Sequence, residues 1–198
     1  MSETAADRAW VLPNEAAPIR LMATIWADTA GVHDDLAAAA DVDAWLDAIG
    51  LDRHGDRATD AELAAARRLR DAVRRLAAQV TADDRPAAQS ATRDIGAALR
   101  DLNQAAAHLP VPQLTLDGGM PRETAASGST AVTAALARVA RESITLLGGP
   151  GAAELRACHA PGCVLYFTKT HPRREWCSIA CGNRARAARH YDKVRSTR

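Results

Sequence analysis

The chain has 198 residues, 47% of them hydrophobic, 25% charged and 4% aromatic, with a formal net charge of +1. That length holds one ordinary domain plus a small module. The polarity and the lack of any run near ~18 consecutive apolar residues exclude a membrane-spanning helix and a membrane partner.

The opening Met1-Ser2-Glu3-Thr4 carries no apolar stretch of a secretory signal, so a cytoplasmic location is expected. Residues 1–18 lack periodicity and hold two prolines; they read as a lead-in, with Trp10-Val11-Leu12 tucked onto the body. Ile19 to Thr29 is apolar enough for a first helix, with a strand as the alternative, and His33-Asp34-Asp35 reads as a loop. Asp41 can cap a short helix carrying Val42, Trp45, Leu46 and Ile49, ended by Gly50.

Thr59-Asp60-Ala61-Glu62 is a capping box, in which hydroxyl and carboxylate satisfy the orphan amides of a helix start. Leu63, Ala66, Leu69, Val73, Leu76 and Val80 follow at spacings of three and four, with Arg67, Arg68, Arg70, Arg74 and Arg75 largely off that stripe. Asp83 or Asp84 is expected to cap the next helix, with Pro86 in its first turn and Ile95, Leu99 and Leu102 as its stripe. The alternation from Val111 to Leu116 before Asp117-Gly118-Gly119 predicts a small hairpin over about 113–125. Thr130 to Leu147 is helical again, with Val132, Leu136, Val139, Ser143 and Leu147 on one face, and Gly148-Gly149-Pro150-Gly151 stops it. Residues 19–147 therefore read as a helical domain, 148–152 as a linker and 153–198 as a separate module.

All four cysteines fall in that last module: Cys158 and Cys163 as Cys-x4-Cys, thirteen residues, then Cys177 and Cys181 as Cys-x3-Cys. In a reducing compartment such cysteines are metal ligands or free thiols rather than disulfides. Two close pairs joined by a short insert suit tetrahedral zinc, and four thiolates leave no open position, so one structural Zn2+ is expected. Iron–sulfur chemistry also uses four cysteines and is the chemical rival. His159-Ala160-Pro161-Gly162 supplies a tight knuckle, Val164-Leu165-Tyr166-Phe167 a short strand, and Glu175-Trp176-Cys177 an extended approach to a helix capped by Ser178. The fold class expected is mostly α: a helical domain with a small β-hairpin, and a C-terminal treble-clef-like finger of knuckle, hairpin and helix.

The charge is divided between these parts. Residues 1–152 carry 15 Lys+Arg against 21 Asp+Glu, whereas 153–198 carry 10 against 3. On the last helix Arg186, Arg189 and Lys193 share one face beside His190, while Ala187, Tyr191 and Val194 form an apolar face suited to rest on the hairpin and body. Lys169, Arg173 and Arg174 add charge from the preceding loop. Such a surface can neutralise phosphates and fork onto guanine; a merely solvated basic helix is the plain alternative.

The run Trp176-Cys177-Ser178-Ile179-Ala180-Cys181-Gly182-Asn183-Arg184-Ala185-Arg186, with Cys158-His159-Ala160-Pro161-Gly162-Cys163 upstream, resembles the signature of the CGNR zinc-finger family. Residues 19–147 resemble the ABATE domain that accompanies it: an opening segment ending in Asp28-Thr29, a Trp45-Leu46 helix, and Leu69-Arg70 in the capped helix. The opening segment departs from the usual Leu-Asp-Phe-Val-Asn-Thr, reading Ile25-Trp26-Ala27-Asp28-Thr29, so no role is carried to the missing acid. The last cysteine pair is also one residue shorter than in many relatives.

The resemblance implies a bacterial, stress-linked transcriptional regulator with the four cysteines as ligands and DNA as partner. It also implies that Arg184 contacts phosphate or braces the finger, and that Gly182 and Asn183 fix the ligand turn or face DNA. The helical domain could dimerise or sense a small-molecule effector. A zinc-stabilised protein-protein interaction module with no nucleic-acid contact is the alternative function. RNA is a variant with few aromatic stacking platforms. An enzyme is not expected: Ser127-Gly128-Ser129 lacks the frame of a nucleophile elbow, and Gly148-Gly149-Pro150-Gly151 lacks the Lys-Ser/Thr of a phosphate loop. His33-Asp34-Asp35 could hold a metal but reads more simply as solvated.

Overall fold

The structure is a computed structural model and describes residues 12–126 and 128–196. Trp10 and Val11, expected against the body, lie outside those residues, while Leu12 is part of the core. In chain order the elements are α1 (Ala17–Met22), β1 (Ile25–Ala27), β2 (Val32–Asp34), α2 (Ala39–Ala48), α3 (Asp60–Thr81) and α4 (Ile95–Ala106). They are followed by β3 (Val111–Asp117), β4 (Met120–Ala126), α5 (Ala131–Gly148), β5 (Leu155–Ala157), β6 (Tyr166–Thr168) and α6 (Ile179–Ser196). Short 3-10 turns occupy Pro86–Ala88 and Pro150–Glu154. Among the described residues no helix is long and apolar enough to cross a membrane.

The mostly α architecture with small antiparallel hairpins is the one expected from the sequence. α3, α4 and α5 pack on one another, α1 lies against α3 and α5, and α2 against α3. Ile19, Leu21, Leu46, Trp45, Leu69, Val73, Val132 and Val139 fill the space between them. The capping box of α3 forms as read: Thr59 Oγ1 accepts from the Glu62 amide, and Glu62 Oε2 accepts from the Thr59 amide at 2.8 Å. Thr130 caps α5 by accepting from the Thr133 amide at 3.1 Å.

Glu62 goes further than its cap, since its other oxygen accepts from the hydroxyls of Thr130 and Thr133 and ties the start of α3 to that of α5. Burial opposes its charge, but these hydroxyl and amide bonds outweigh it and hold the carboxyl below its usual 4.5. A depressed folded pKa gives stability that is complete above 4.5 and is lost as pH falls through the lower folded value. Glu62→Gln is therefore expected to cost about 1–2 kcal/mol at neutral pH. Urea unfolding of both proteins should show that difference shrinking towards pH 3; a gap independent of pH would contradict the charged role.

Several elements differ from the sequence reading. The segment 19–29 divides into α1 and β1, because Thr24 turns its hydroxyl back to the Leu21 carbonyl at 2.8 Å and closes the helix. His33-Asp34 is not a loop but β2, antiparallel to β1 with Trp26 opposite His33. The two rings stack at 4.2 Å, and Trp26 Nε1 donates to Asp35 at 2.9 Å. Asp41 caps α2 from its third position, accepting from the Ala37 and Ala38 amides at 2.9 and 2.7 Å. The helix expected from Asp83 or Asp84 starts instead at Asp94, whose carboxylate accepts from the Ala97 amide, and Leu99 is exposed while Ala98 and Leu102 face inward.

Arg70 and Arg74, placed off the stripe of α3, are both buried. The guanidinium of Arg70 grips both oxygens of Asp34 at 2.5 and 3.0 Å and thereby pins β2 to α3. The hairpin expected over 113–125 is present as β3–β4, paired from Val111↔Ala126 to Asp117↔Met120 through a Gly118-Gly119 turn. β3 is exposed along its length and β4 over 120–125, with Leu114, Leu116 and Met120 all more than 70% accessible.

Candidate metal centre

The chemistry of the centre begins with a turn. The Cys163 amide donates to the Ala160 carbonyl at 2.9 Å, with Pro161 and Gly162 at the corner. Gly162 has φ +73°, the left-handed value that this corner requires and that side chains resist. Cys158 then pairs back across the knuckle, its amide donating to the Leu165 carbonyl at 2.8 Å. The strand that follows is β6, and its partner is β5, with Leu155 opposite Thr168 and Ala157 opposite Tyr166. Glu175-Trp176-Cys177, expected to be extended, bends instead, and delivers Cys177 directly before the cap of α6. Ser178 Oγ accepts from the Cys181 amide at 3.2 Å, so the first turn of α6 presents Cys181 beside Cys177.

The four sulfurs of Cys158, Cys163, Cys177 and Cys181 lie within 4.8 Å of one another, and all four residues are buried. Cys163 and Cys177 are 3.8 Å apart, Cys177 and Cys181 3.4 Å. A disulfide would need ~2.05 Å. A tetrahedron with metal–sulfur bonds of ~2.3 Å has edges of about 3.8 Å. The donor set therefore fits one zinc ion, held by four thiolates with no position left for substrate.

The ionisation of the cluster points the same way. Hydrogen bonds from Cys163 and Cys177 lower Cys158 to about 6, and those from its neighbours lower Cys181, while the same sharing pushes Cys163 and Cys177 up. Four thiols this close cannot all lose protons without a counter-charge, which a divalent cation supplies. The backbone amides of Cys177 and Leu165 aim at the sulfurs of Cys158 and Cys163. Gly182 sits beneath the Trp176 indole, where a Cβ would come within 3.1 Å of the ring. Arg184 reaches back to the Cys181 sulfur at 3.1 Å.

The helical body adds contacts to the backbone of the ligands that sequence reasoning missed. Arg85 donates to the carbonyls of two ligands, Cys158 at 2.7 Å and Cys163 at 2.8 Å. It is itself forked by Asp83 at 2.7 and 2.8 Å. Burial works against the Asp83 charge, but Arg85 more than compensates and holds its carboxyl below the usual range. Burial also raises Tyr166, so its phenol stays protonated and donates to Asp83 at 3.1 Å.

Arg74 bonds the carbonyls of Met22, Ala88 and Val164 at 2.9, 3.3 and 3.2 Å, and lies over the Tyr166 ring at 5.6 Å. Glu15 accepts from the Thr168 amide and forms a close ion pair with Arg174 at 2.6 Å. The only sequence signal for Arg74 was its spacing of four from Arg70, beside the apolar stripe.

The basic residues expected to face nucleic acid separate into two groups. Arg174 is turned inward: it donates to the carbonyls of Thr168, Trp176 and Cys177 and lies over Phe167 at 5.0 Å. Lys169 is half-buried. Arg173, Arg184, Arg186, Arg189 and Lys193 are exposed, with Arg186 bonded to the Asn183 side chain. α6 is covered only through Ala185 and partly at Ala188; beyond that it projects into solvent. Contrary to the expected packing of its apolar face on the hairpin and body, Ala187 is exposed, Tyr191 is 67% accessible and Val194 43%.

Residues 15–150 match the family model ABATE, described as "Putative stress-induced transcription regulator". Residues 154–194 match the model of the CGNR zinc finger. No curated protein matches the chain.

Proposed function

Because the chain belongs to the ABATE family and ends in a CGNR zinc finger, we propose that it is a DNA-binding transcriptional regulator whose α6 docks on the duplex. The observation that carries this reading is the solvent-facing length of α6, which bears Arg186, Arg189 and Lys193. A helix so exposed gains nothing from packing at home, and its excess of positive charge, five Lys and Arg against the one acid Asp192, suits a polyanion. The zinc, the ligand carbonyls held by Arg85, and Arg174 fix the root of the rod. That rigidity lowers the entropy cost of docking. Arg184 braces the Cys181 thiolate in this reading, and the phosphate contacts fall to Arg186, Arg189, Lys193 and Arg173. A second copy joined through the helical body would present two such rods and raise affinity without new contacts per copy.

Duplex binding by the zinc-loaded chain should weaken steeply with salt. Each phosphate neutralised contributes a slope of about −0.9 in log K against log salt. Replacing Arg186, Arg189 and Lys193 together by Gln is expected to flatten the slope by roughly two to three, measured by fluorescence anisotropy on genomic fragments. An unchanged slope, or no binding to any duplex, would count against the assignment. The exposed Tyr191 and Val194 favour a protein partner as the second reading, in which case neutralising the charges would leave partner capture intact.

A further inference from the structure

A cavity of about 250 Å³ opens between α3, α4 and α5, and none of the zinc ligands lines it. Its floor is apolar, built from Ala65 and Leu69 of α3, Ala105 of α4 and Leu136 of α5. Among the charged side chains that line it are Arg68 from α3 and Asp101 from α4. They are opposite in sign, yet they form no ion pair with each other, and neither has a hydrogen-bond or ion-pair partner among the described residues. Elsewhere on α3 the pattern is the reverse: Arg67, Arg70, Arg74 and Arg75 all have acceptors. Glu62 also lines the cavity, but both its oxygens are taken by Thr59, Thr130 and Thr133, so it shapes the wall without capacity for a ligand.

We propose that this cavity binds a free α-amino acid with an aliphatic side chain. The carboxylate is taken by Arg68, the ammonium by Asp101, and the side chain covers Ala65, Leu69, Ala105 and Leu136. Two unpaired charges of opposite sign select a molecule that carries both. A simple anion would meet Asp101 and the ionised Glu62 unscreened, and a simple cation would meet Arg68. Size restricts the choice further. A space of about 250 Å³ suits a small molecule of amino-acid size.

The test is isothermal titration of L-leucine into the full, zinc-loaded chain without DNA, so that its outcome is independent of the regulator reading. Two probes lacking one charge each, L-leucinamide and 4-methylpentanoate, are titrated beside it. Expected are one site per chain for L-leucine and binding at least tenfold weaker for both probes. A tenfold or greater loss is also expected in Arg68→Gln and in Asp101→Asn, with thermal unfolding of both variants unchanged. Absence of binding by L-leucine, L-valine and L-methionine alike overturns the proposal. So does binding of the amide and the acid as tight as that of L-leucine, or leucine binding that survives both substitutions.

Discussion

Removing zinc from the full chain with a strong chelator is expected to unfold residues 154–196 and abolish duplex binding. The intact protein should contain about one tightly held zinc. The finger has little independent core: its buried Tyr166 meets Arg74 and Asp83 of the helical body, and Phe167 belongs to the same core cluster as the residues of that body. Structural zinc sites contribute roughly 10–16 kcal/mol of apparent binding energy at neutral pH, which is also folding energy for the segment that forms the site. Without the ion, four mutually close sulfurs must hold their protons or repel one another, and the turn at Gly162 and the cap at Ser178 have nothing to draw them together. Amide hydrogen exchange is the direct measurement. Protection should vanish in β5, β6 and α6, and fall in part in the second half of α3, where Arg74 loses the Val164 carbonyl. Cys158→Ser or Cys181→Ser should reproduce the loss. Unchanged exchange after chelation would refute the metal as the finger's organiser.

Arg74→Met is expected to destabilise the whole chain by about 3–5 kcal/mol, the largest effect of any single change outside the cysteines. Two terms oppose each other. Burial pushes the Arg74 pKa down, because a charge in this position is costly, and removing it relieves that cost. Against this stand three backbone carbonyls, of Met22, Ala88 and Val164, each left without a donor at about 1–3 kcal/mol. The three acceptors come from α1, the 3-10 turn and the zinc knuckle, so no local shift can re-satisfy them together. Three orphaned carbonyls outweigh one relieved charge. Urea unfolding should give the loss, and zinc release to a competing chelator should quicken, since the knuckle slackens. Arg74→Lys should recover only part, because an ammonium cannot span three acceptors with a planar fork. Equal stability of the Met variant and the parent would show that the charge was a net burden.

The parts of the fold that could be read from the sequence are those whose cause is local. Thr59 and Glu62 are three apart, the stripe of α3 repeats every three or four, Gly118-Gly119 closes a hairpin, and the cysteine pairs carry their own spacing. What escaped depends on distance. Arg74 meets Val164 ninety positions away, and Arg85 meets Cys158 seventy-three away; a polar residue beside an apolar stripe looks solvent-facing until the far partner is in place. β1, β2, β5 and β6 are three residues each, too short for alternation to register. Tyr191 and Val194 misled in the opposite direction, since helical spacing of apolar residues indicates a face and not whether anything covers it. The ligands of the metal were legible in full, and the clamp that joins them to the body was not.

The β3–β4 arm offers the experimenter a handle. Seven residues per strand carry its tip roughly 20 Å from the helices, and exposed tips of small residues accept inserted sequence readily. A fluorophore, an affinity tag or a whole reporter protein spliced between Gly118 and Gly119 would ride on that stalk, leaving core, cavity and metal undisturbed.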